Sequence, residues 1–167
     1  MSFEQQLIRW RRELHQNPEL SLQEVATTAR IRDWLQSAGI APLPLELKTG
    51  AVAEVGQGER VVALRADIDA LPIEEATGLE YRSQTPGVMH ACGHDIHTSV
   101  ILGAALLLKA REASLPGRVR ILFQPAEENF GGAKTLIRAG ALEGVSVIFG
   151  MHNEPGLAVG EFATRGG

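Results

Sequence analysis

The sequence contains a single cysteine, which excludes an internal disulfide and leaves the Cys92 thiol either free or bound to a metal. Such a thiol is typical of a reducing compartment, so we expect a cytoplasmic protein. The N-terminal stretch M-S-F-E-Q-Q-L-I-R-W-R-R carries an acid early and lacks the charged-then-apolar order of a signal peptide. The longest apolar run, residues 100–108, is too short to span a bilayer, and we expect no membrane partner.

Aromatic side chains and clustered positive charge are also scarce. Aromatics make up 5% of the chain, and 16 basic against 20 acidic residues give a net charge of −4. The one short basic cluster comprises Arg9, Arg11 and Arg12. A chain without a basic surface or stacking residues is not expected to bind nucleic acid. Its 167 residues, 44% of them hydrophobic, are enough for one globular domain with a real core.

The first half of the chain changes from helical to strand-like patterning. Apolar periodicity predicts a helix over residues 3–15, and the capping-box pattern at Ser21 and Glu24 predicts a second helix that ends at Gly39. Short runs rich in valine, leucine and alanine predict strands over residues 43–48, 51–55 and 60–65. The G-Q-G turn at residues 56–58 predicts that the last two of these strands form a hairpin.

The second half alternates helices and strands after an irregular stretch over residues 67–91. Helices are predicted over residues 98–113 and 131–139, and strands over residues 119–123, 145–149 and, at the end, 160–164. Strand–helix–strand alternation indicates right-handed crossovers and an α/β fold with a largely parallel sheet covered by helices. An irregular stretch as long as residues 67–91 inside a compact domain is typically functional.

Polar side chains collect where the predicted strands end. Residues 89–98, M-H-A-C-G-H-D-I-H-T, hold the only cysteine and three of the five histidines directly before an apolar helix. The carboxyl ends of parallel strands share one edge of a sheet, where ligands bind. We therefore expect thiol, imidazole and carboxylate groups to meet there. The polar residues at strand ends or helix starts are Asp67, Asp69, Cys92, His94, Glu127, Glu128 and His152.

Each of these residues also has an ordinary structural interpretation. A lone Cys92 is more often a small buried hydrophobe, but with His94 two positions away the pair can chelate one ion if both lie on a loop. Glu127 and Glu128 would usually be a solvated pair. After an apolar strand and a Pro-Ala turn, however, one can bind metal while the other handles the proton of a water. By itself, His152 after a buried strand is more typical of a core histidine.

Four motifs in order make the chain recognisable. R-R-E-L-H-Q-N-P-E-L-S-L-Q-E, L-R-A-D-I-D-A-L-P, M-H-A-C-G-H-D-I-H-T and F-Q-P-A-E-E together resemble the metal-dependent amidohydrolases that include hippurate hydrolase, N-acyl-amino-acid amidohydrolases and auxin–amino-acid conjugate hydrolases. These belong to the aminoacylase and carboxypeptidase-type superfamily. The resemblance runs from about Leu7 to the last residue. It implies a three-layer αβα catalytic domain with a mostly parallel central sheet.

The resemblance also implies a two-metal site and a reaction. Carried over position by position, Glu127 matches the general base that activates a metal-bound water, and Asp69 matches an aspartate that orients a ligand. Asp67 falls where other branches place a histidine ligand, and we interpret it as a supporting residue. The metals implied are two divalent ions of zinc, manganese, cobalt or nickel. The residues that match metal ligands are Cys92, His94, Glu128 and His152.

The family pattern is longer than this sequence. In the family, a lid or dimerisation domain interrupts the catalytic domain, which then resumes and supplies one more histidine ligand. We therefore expect residues 1–167 to be the N-terminal part of the catalytic domain, with an exposed sheet edge prone to association and open to homo-oligomer formation.

Three functions are compatible with these residues. The first is hydrolysis of N-acyl amino acids or related small amides, which are the expected small-molecule partners. The second is a catalytically silent metal-binding or interaction module. The third is thiol catalysis with Cys92 as the nucleophile, which we consider the weakest because the Cys92-Gly93-His94 spacing favours chelation over attack.

Overall fold

A four-stranded sheet with helices on both faces organises the chain in the computed structural model, which describes residues 1–164. The strand order is β1-β3-β2-β4, and β2 runs parallel to both of its neighbours, whereas β1 is antiparallel to β3. The expected three-layer, mostly parallel α/β fold is confirmed. The strands are β1 (Ala51–Gly56), β2 (Val61–Asp67), β3 (Arg118–Gln124) and β4 (Val145–Gly150), and the helices are α1 (Phe3–Gln16), α2 (Val25–Ser37), α3 (His94–Ala110) and α4 (Gly132–Arg138).

Two apolar cores lie on opposite faces of the sheet. On one face, α1, α2 and α3 pack through residues such as Trp10, Ile31 and Leu102 against Ile121 and Phe123 of β3. On the other face, α4 contributes Leu136 to a smaller core that includes Val52, Ala63 and Leu122. Because α3 follows β2 and α4 follows β3, the two loops leave adjacent parallel strands toward opposite faces. A crevice opens between the carboxyl ends of such strands.

The predicted hairpin between β1 and β2 is wrong. Both strands exist, but β3 lies between them and pairs with each, over Ala51–Gly56 on one side and Val61–Asp67 on the other. Gly56 still turns the chain, with φ +95°. A glycine-rich turn between two apolar runs does not show whether the runs pair with each other or with a later strand.

Two further predicted strands are absent from the described residues. Residues 43–48 form no strand, although Leu43 donates a hydrogen bond to Val52 and the leucines of this segment cover the smaller core. Residues 160–164 are likewise irregular. The irregular stretch over residues 67–91 is confirmed, and it is held mainly by isolated contacts such as the Leu71–Met89 bridge.

The helices agree with the periodicity except at two starts. Helix α1 begins at an N-cap, Ser2, that accepts a hydrogen bond from the Gln5 backbone. Helix α2 stops at Ser37, and Gly39, with φ +72°, terminates it as predicted. The capping box expected at Ser21 is wrong, because α2 begins at Val25. Helix α3 begins at His94, four residues before its apolar pattern. In the described residues, no helix is both long and apolar enough to cross a membrane.

Candidate metal centre

The polar residues at the strand ends do converge on the crevice. Three overlapping groups of ligand-type side chains lie there, and within each group the ligand atoms are within 4.8 Å of one another. The sequence-predicted ligands are all included, although the structure alone does not assign them. The groups are Cys92 with His94 and His152, His94 with Glu127 and Glu128, and Asp67 with His94 and His97.

His94 stands at the centre of these groups, at the start of α3. Its Nδ1 lies 2.8 Å from the backbone carbonyl oxygen of Asp69, so Nδ1–H donates and Nε2 keeps its lone pair. Nε2 is buried and has no hydrogen-bond partner. It faces carboxylate oxygens of Glu128 at 3.7 Å and Glu127 at 3.9 Å. A buried, unpaired lone pair next to carboxylates is stabilised by a cation, either a proton or a metal ion.

The neighbouring carboxylates also affect the protonation of His94. Burial opposes its protonation, but the hydrogen bond to Asp69 and the nearby charge of Asp67 raise the pKa of the imidazole above its usual value. The site therefore attracts positive charge even without a metal. A divalent ion would compete with the proton for Nε2.

Cys92 and His152 form the second half of the centre. The Sγ of Cys92 lies 3.4 Å from Nε2 of His152, whose Nδ1–H donates to the backbone carbonyl of Asn153 at 2.8 Å. Burial, together with the negative charge of Glu128, raises the pKa of the Cys92 thiol to about 11. His152 is exposed and lies two residues after the end of β4, so it is not a core histidine.

The expectation that Cys92 and His94 both lie on a loop is wrong in part. Cys92 lies on the loop, but His94 is the first residue of α3, and Gly93 between them is the N-cap with φ +94°. This left-handed conformation, which glycine adopts without strain, turns the two side chains toward one side. Chelation is therefore compatible with a helix start.

Asp69 organises the carboxylate side of the centre. Its Oδ1 accepts the backbone N–H of Glu127 at 3.0 Å, and its Oδ2 accepts that of Glu128 at 3.1 Å. Oδ2 also accepts the hydroxyl of Ser21 at 2.6 Å. Burial favours the neutral acid, but these bonds and the contact with His94 lower the pKa of Asp69 to about 2. Asp69 thus positions both His94 and the two glutamates.

Sequence reasoning missed two supporting residues. Ser21, assigned to a helix cap, instead donates to Asp69. Glu24 is fully buried and accepts the backbone N–H of Ala126 at 2.8 Å, which secures the turn before Glu127 where Ala126 adopts φ +48°. The capping-box pattern accounted for both residues locally, and nothing else in the sequence signals their distant partners.

The remaining histidines are not among the sequence-predicted ligands, although His97 belongs to one of the three groups. His97 lies beside His94 and hydrogen-bonds to Asp67. His90 is buried with both ring nitrogens unpartnered, and burial lowers its pKa to about 4. His15, in the last turn of α1, lies between Asp95 and Glu75 in a separate buried cluster.

The donor set fits divalent metal ions. Thiol, imidazole and carboxylate donors suit zinc and related first-row ions, and two ligands bound to one ion at about 2.0–2.3 Å lie roughly 3–4 Å apart. The separations of 3.4 Å between Cys92 and His152 and 3.7 Å between His94 and Glu128 fall in this range. The buried Nε2 of His94 and the unpartnered Oε1 of Glu128 are the atoms that a cation would satisfy.

Comparison with known proteins agrees with this geometry. The model of peptidase family M20/M25/M40 matches residues 63–167. N-acetylcysteine deacetylase of Bacillus subtilis is 53% identical over 169 residues, which cover 99% of this chain and 44% of that protein. IAA-amino acid hydrolase ILR1-like 4 of Arabidopsis thaliana is 49% identical over 158 residues, which cover 94% of this chain and 36% of that protein.

A solved structure shows the same fold. The YXEP protein of Bacillus subtilis, described as a dinuclear metal-binding peptidase of the M20 family, superimposes with a TM-score of 0.92 at 55% identity, over 94% of this chain and 45% of that one. The chain thus spans less than half the length of these relatives. With a matching family model over more than half its residues and a matching catalytic-domain fold, the chain belongs to peptidase family M20/M25/M40.

Proposed function

We propose that this chain is the N-terminal part of the catalytic domain of a metal-dependent amidohydrolase that cleaves N-acyl amino acids or related small amides. The observation that carries the proposal is the buried, unpartnered Nε2 of His94, faced by the carboxylates of Glu127 and Glu128. The relatives named for N-acetylcysteine and for IAA–amino acid conjugates support an acylated amino acid as the substrate class.

In this proposal Cys92, His94, Glu128 and His152 hold two divalent ions of zinc, manganese, cobalt or nickel. When bound, such ions lower the pKa of a water molecule and polarise the scissile carbonyl. The sulfur, nitrogen and oxygen donors of this chain are compatible with all four metals, so the donor set alone leaves the metal open.

Glu127 is the proposed general base. Its carboxylate is about one-third exposed, unlike the buried imidazole of His94 that it faces, so water reaches it from the crevice. It takes the proton of the attacking water and returns it to the leaving amine nitrogen. Asp69 holds the backbone of Glu127 and so fixes where this proton transfer takes place.

The proposal is tested by the metal content and the rate of hydrolysis of variants at Cys92 and at the neighbouring residues Glu127 and Glu128. We expect about two ions per chain after dialysis against trace manganese and zinc, and fewer for Cys92→Ser and Glu128→Gln. Glu127→Gln should retain its metal but lose hydrolysis of N-acetylcysteine and indoleacetyl-amino acids, measured on the whole protein that contains this chain. No bound metal in the wild type, or full activity of Glu127→Gln, would contradict the proposal.

A silent metal-binding module is the second candidate. The observation that favours it is the cluster of ligand-type side chains, which accounts for metal binding without requiring a reaction. Metal binding by residues 1–167, without hydrolysis of the same substrates by that polypeptide, would support this candidate for the isolated chain. Turnover by the isolated chain that is lost in Glu127→Gln would exclude it.

A further inference from the structure

A buried hydrogen-bonded link runs from the end of β2 to the segment that carries His152. Oδ1 of Asp67 lies 2.6 Å from Nδ1 of His97, and Nε2 of His97 accepts the backbone N–H of Asn153 at 2.9 Å. His97 and Asp67 are 0% and 1% exposed. Water cannot reach either side chain to replace a lost hydrogen bond, so breaking this link would cost free energy.

The hydrogen bonds determine the tautomer of the His97 ring. A carboxylate only accepts, so the His97 proton lies on Nδ1 and Nε2 is the acceptor. The side-chain amide of Asn153 also contacts Nε2, with Oδ1 at 2.7 Å. With Nε2 as the acceptor, the amide turns its NH₂ group toward the ring and shares the single Nε2 lone pair with the Asn153 backbone N–H. Asn153 is then held through both its backbone and its side chain.

Gly93 provides the other wall of the space that Asn153 occupies. A Cβ at Gly93 would lie 2.3 Å from Oδ1 of Asn153, so only glycine leaves room for this side chain. The Asn153 amide is therefore confined between the His97 ring and the turn that joins Cys92 to His94. The segment after β4 is thereby attached to the start of α3.

The His152 ring packs directly on the His97 ring, with 4.8 Å between the ring centroids. The His152 side chain is exposed, and its hydrogen-bond contacts are with Cys92 and with the backbone oxygen of Asn153. In the described residues after Gly150, the chain forms neither helix nor strand. The position of the His152 ring therefore depends on the attachment of Asn153, and the direct packing of the two rings supports the same position.

We propose that His97 is a positioning residue which, through Asn153, holds Nε2 of His152 beside Sγ of Cys92. This inference rests on the proposed metal site and deepens it. His97 could instead be a ligand, since it groups with Asp67 and His94. However, the 2.6 Å contact with Asp67 is a hydrogen bond, shorter than the roughly 3 Å or more between two ligand atoms of one ion.

The first test needs no metal. Amide hydrogen exchange of metal-free protein, followed by NMR, should show the Asn153 N–H protected at least about tenfold more in the wild type than in His97→Ala. His97→Asn, which retains a donor toward Asp67 but lacks Nε2, should lose the same protection if His97→Ala fails to fold. His15→Gln is the matched control, since His15 is also buried and lies 2.8 Å from a carboxylate, that of Asp95. Equal Asn153 exchange in the wild type and the His97 variants would overturn the inference.

The second test separates positioning from ligation. In calorimetric titrations with Mn²⁺ and Co²⁺, His97→Ala should weaken binding by about 10–100-fold, the usual effect of removing a residue that orients a ligand. His97→Ala should cause no further loss in a His152→Ala background, because the two effects share one route. Additive losses would identify His97 as a ligand and overturn the inference, as would unchanged affinity of His97→Ala. Absence of metal binding in the wild type would contradict the proposed function, and the exchange experiment would still decide the role of His97.

Discussion

The Nδ1 of His94 lies 2.8 Å from the backbone carbonyl oxygen of Asp69, and this contact aims the opposite ring nitrogen at two glutamates. The carboxylate of the same aspartate accepts the backbone N–H groups of Glu127 and Glu128. One residue at the end of β2 thus aligns donors from α3 and from the loop after β3. Its substitution should disturb the whole centre.

We expect Asp69→Asn to lose stability in a pH-dependent way. Hydrogen bonds lower the pKa of Asp69 from 3.8 to about 2, so its ionised form stabilises the fold above pH 3.8 and this contribution disappears as the pH falls through about 2. The lowered pKa of Asp69 contributes about 2 kcal/mol to the free energy of unfolding at pH 5, and roughly half of that contribution remains at pH 3.

Urea unfolding of metal-free protein at pH 5 and pH 3 measures this difference, and the titration of His90, whose pKa is about 4, is common to the wild type and the variant. Ser21→Ala is the control, because it removes one hydrogen bond to Asp69 and keeps the carboxylate. The difference in the free energy of unfolding between the wild type and Asp69→Asn should be smaller at pH 3 than at pH 5. A difference that is the same at both pH values would contradict the assignment.

Cys92 should react slowly with alkylating agents in the metal-free protein. Its thiol pKa of about 11, raised by burial and by Glu128, leaves little thiolate at pH 7.5, and the thiolate is the reactive form. Iodoacetamide labelling should therefore be many times slower in the folded chain than in the same chain in urea, which has the same single thiol. Fast labelling of the folded chain, with loss of activity that chelators do not reproduce, would instead favour thiol catalysis.

The free edge of β4 should promote association. Val147, Ile148 and Phe149 are 43–58% exposed, and β4 pairs only with β2 among the described strands. An unpaired apolar edge strand is a template for other chains. Ile148→Lys should reduce the average mass seen by light scattering at high concentration, whereas Leu107→Lys, at a somewhat more exposed position on α3, should not. A monodisperse wild-type monomer would contradict the prediction.

The sequence predicted which polar residues converge, but not the order of the strands that carry them. Asp67, Glu127 and His152 each follow a strand that local patterning reveals, and parallel strands bring their ends together. Neither the insertion of β3 between β1 and β2 nor the contact of Ser21 with Asp69 could be predicted, because both depend on residues about 50 or more positions apart. Local patterns describe neighbours along the chain and carry no information about such partners.

The early start of α3 has a different cause. Residues 94–97 are mostly polar, so their periodicity resembles a loop, yet their side chains are buried because they contact the centre and the His15 cluster. Asp95 bonds to His15, and His97 bonds to Asp67. Burial of polar groups through mutual hydrogen bonds cannot be distinguished from exposure by hydrophobic patterning.

Two adjacent glycines after the glutamates provide a matched test of the turn that carries them. A Cβ at Gly132 would lie 1.5 Å from the backbone oxygen of Pro125, whereas one at Gly131 would meet only the end of the Asn129 side chain, at 3.2 Å. Gly132→Ala should therefore displace the turn before Glu127 and lower the free energy of unfolding by at least about 1–3 kcal/mol. Gly131→Ala should change it by less than about 1 kcal/mol, since its backbone is already helical.

Metal titration of both variants links this turn to the centre. If Pro125 and Ala126 place Glu127 and Glu128, then Gly132→Ala should also weaken metal binding, while Gly131→Ala binds as the wild type does. Equal stability of the two variants would show that α4 can shift without moving the turn. Loss of stability in Gly132→Ala with unchanged metal affinity would show that the bonds from Asp69 alone hold the glutamates in place.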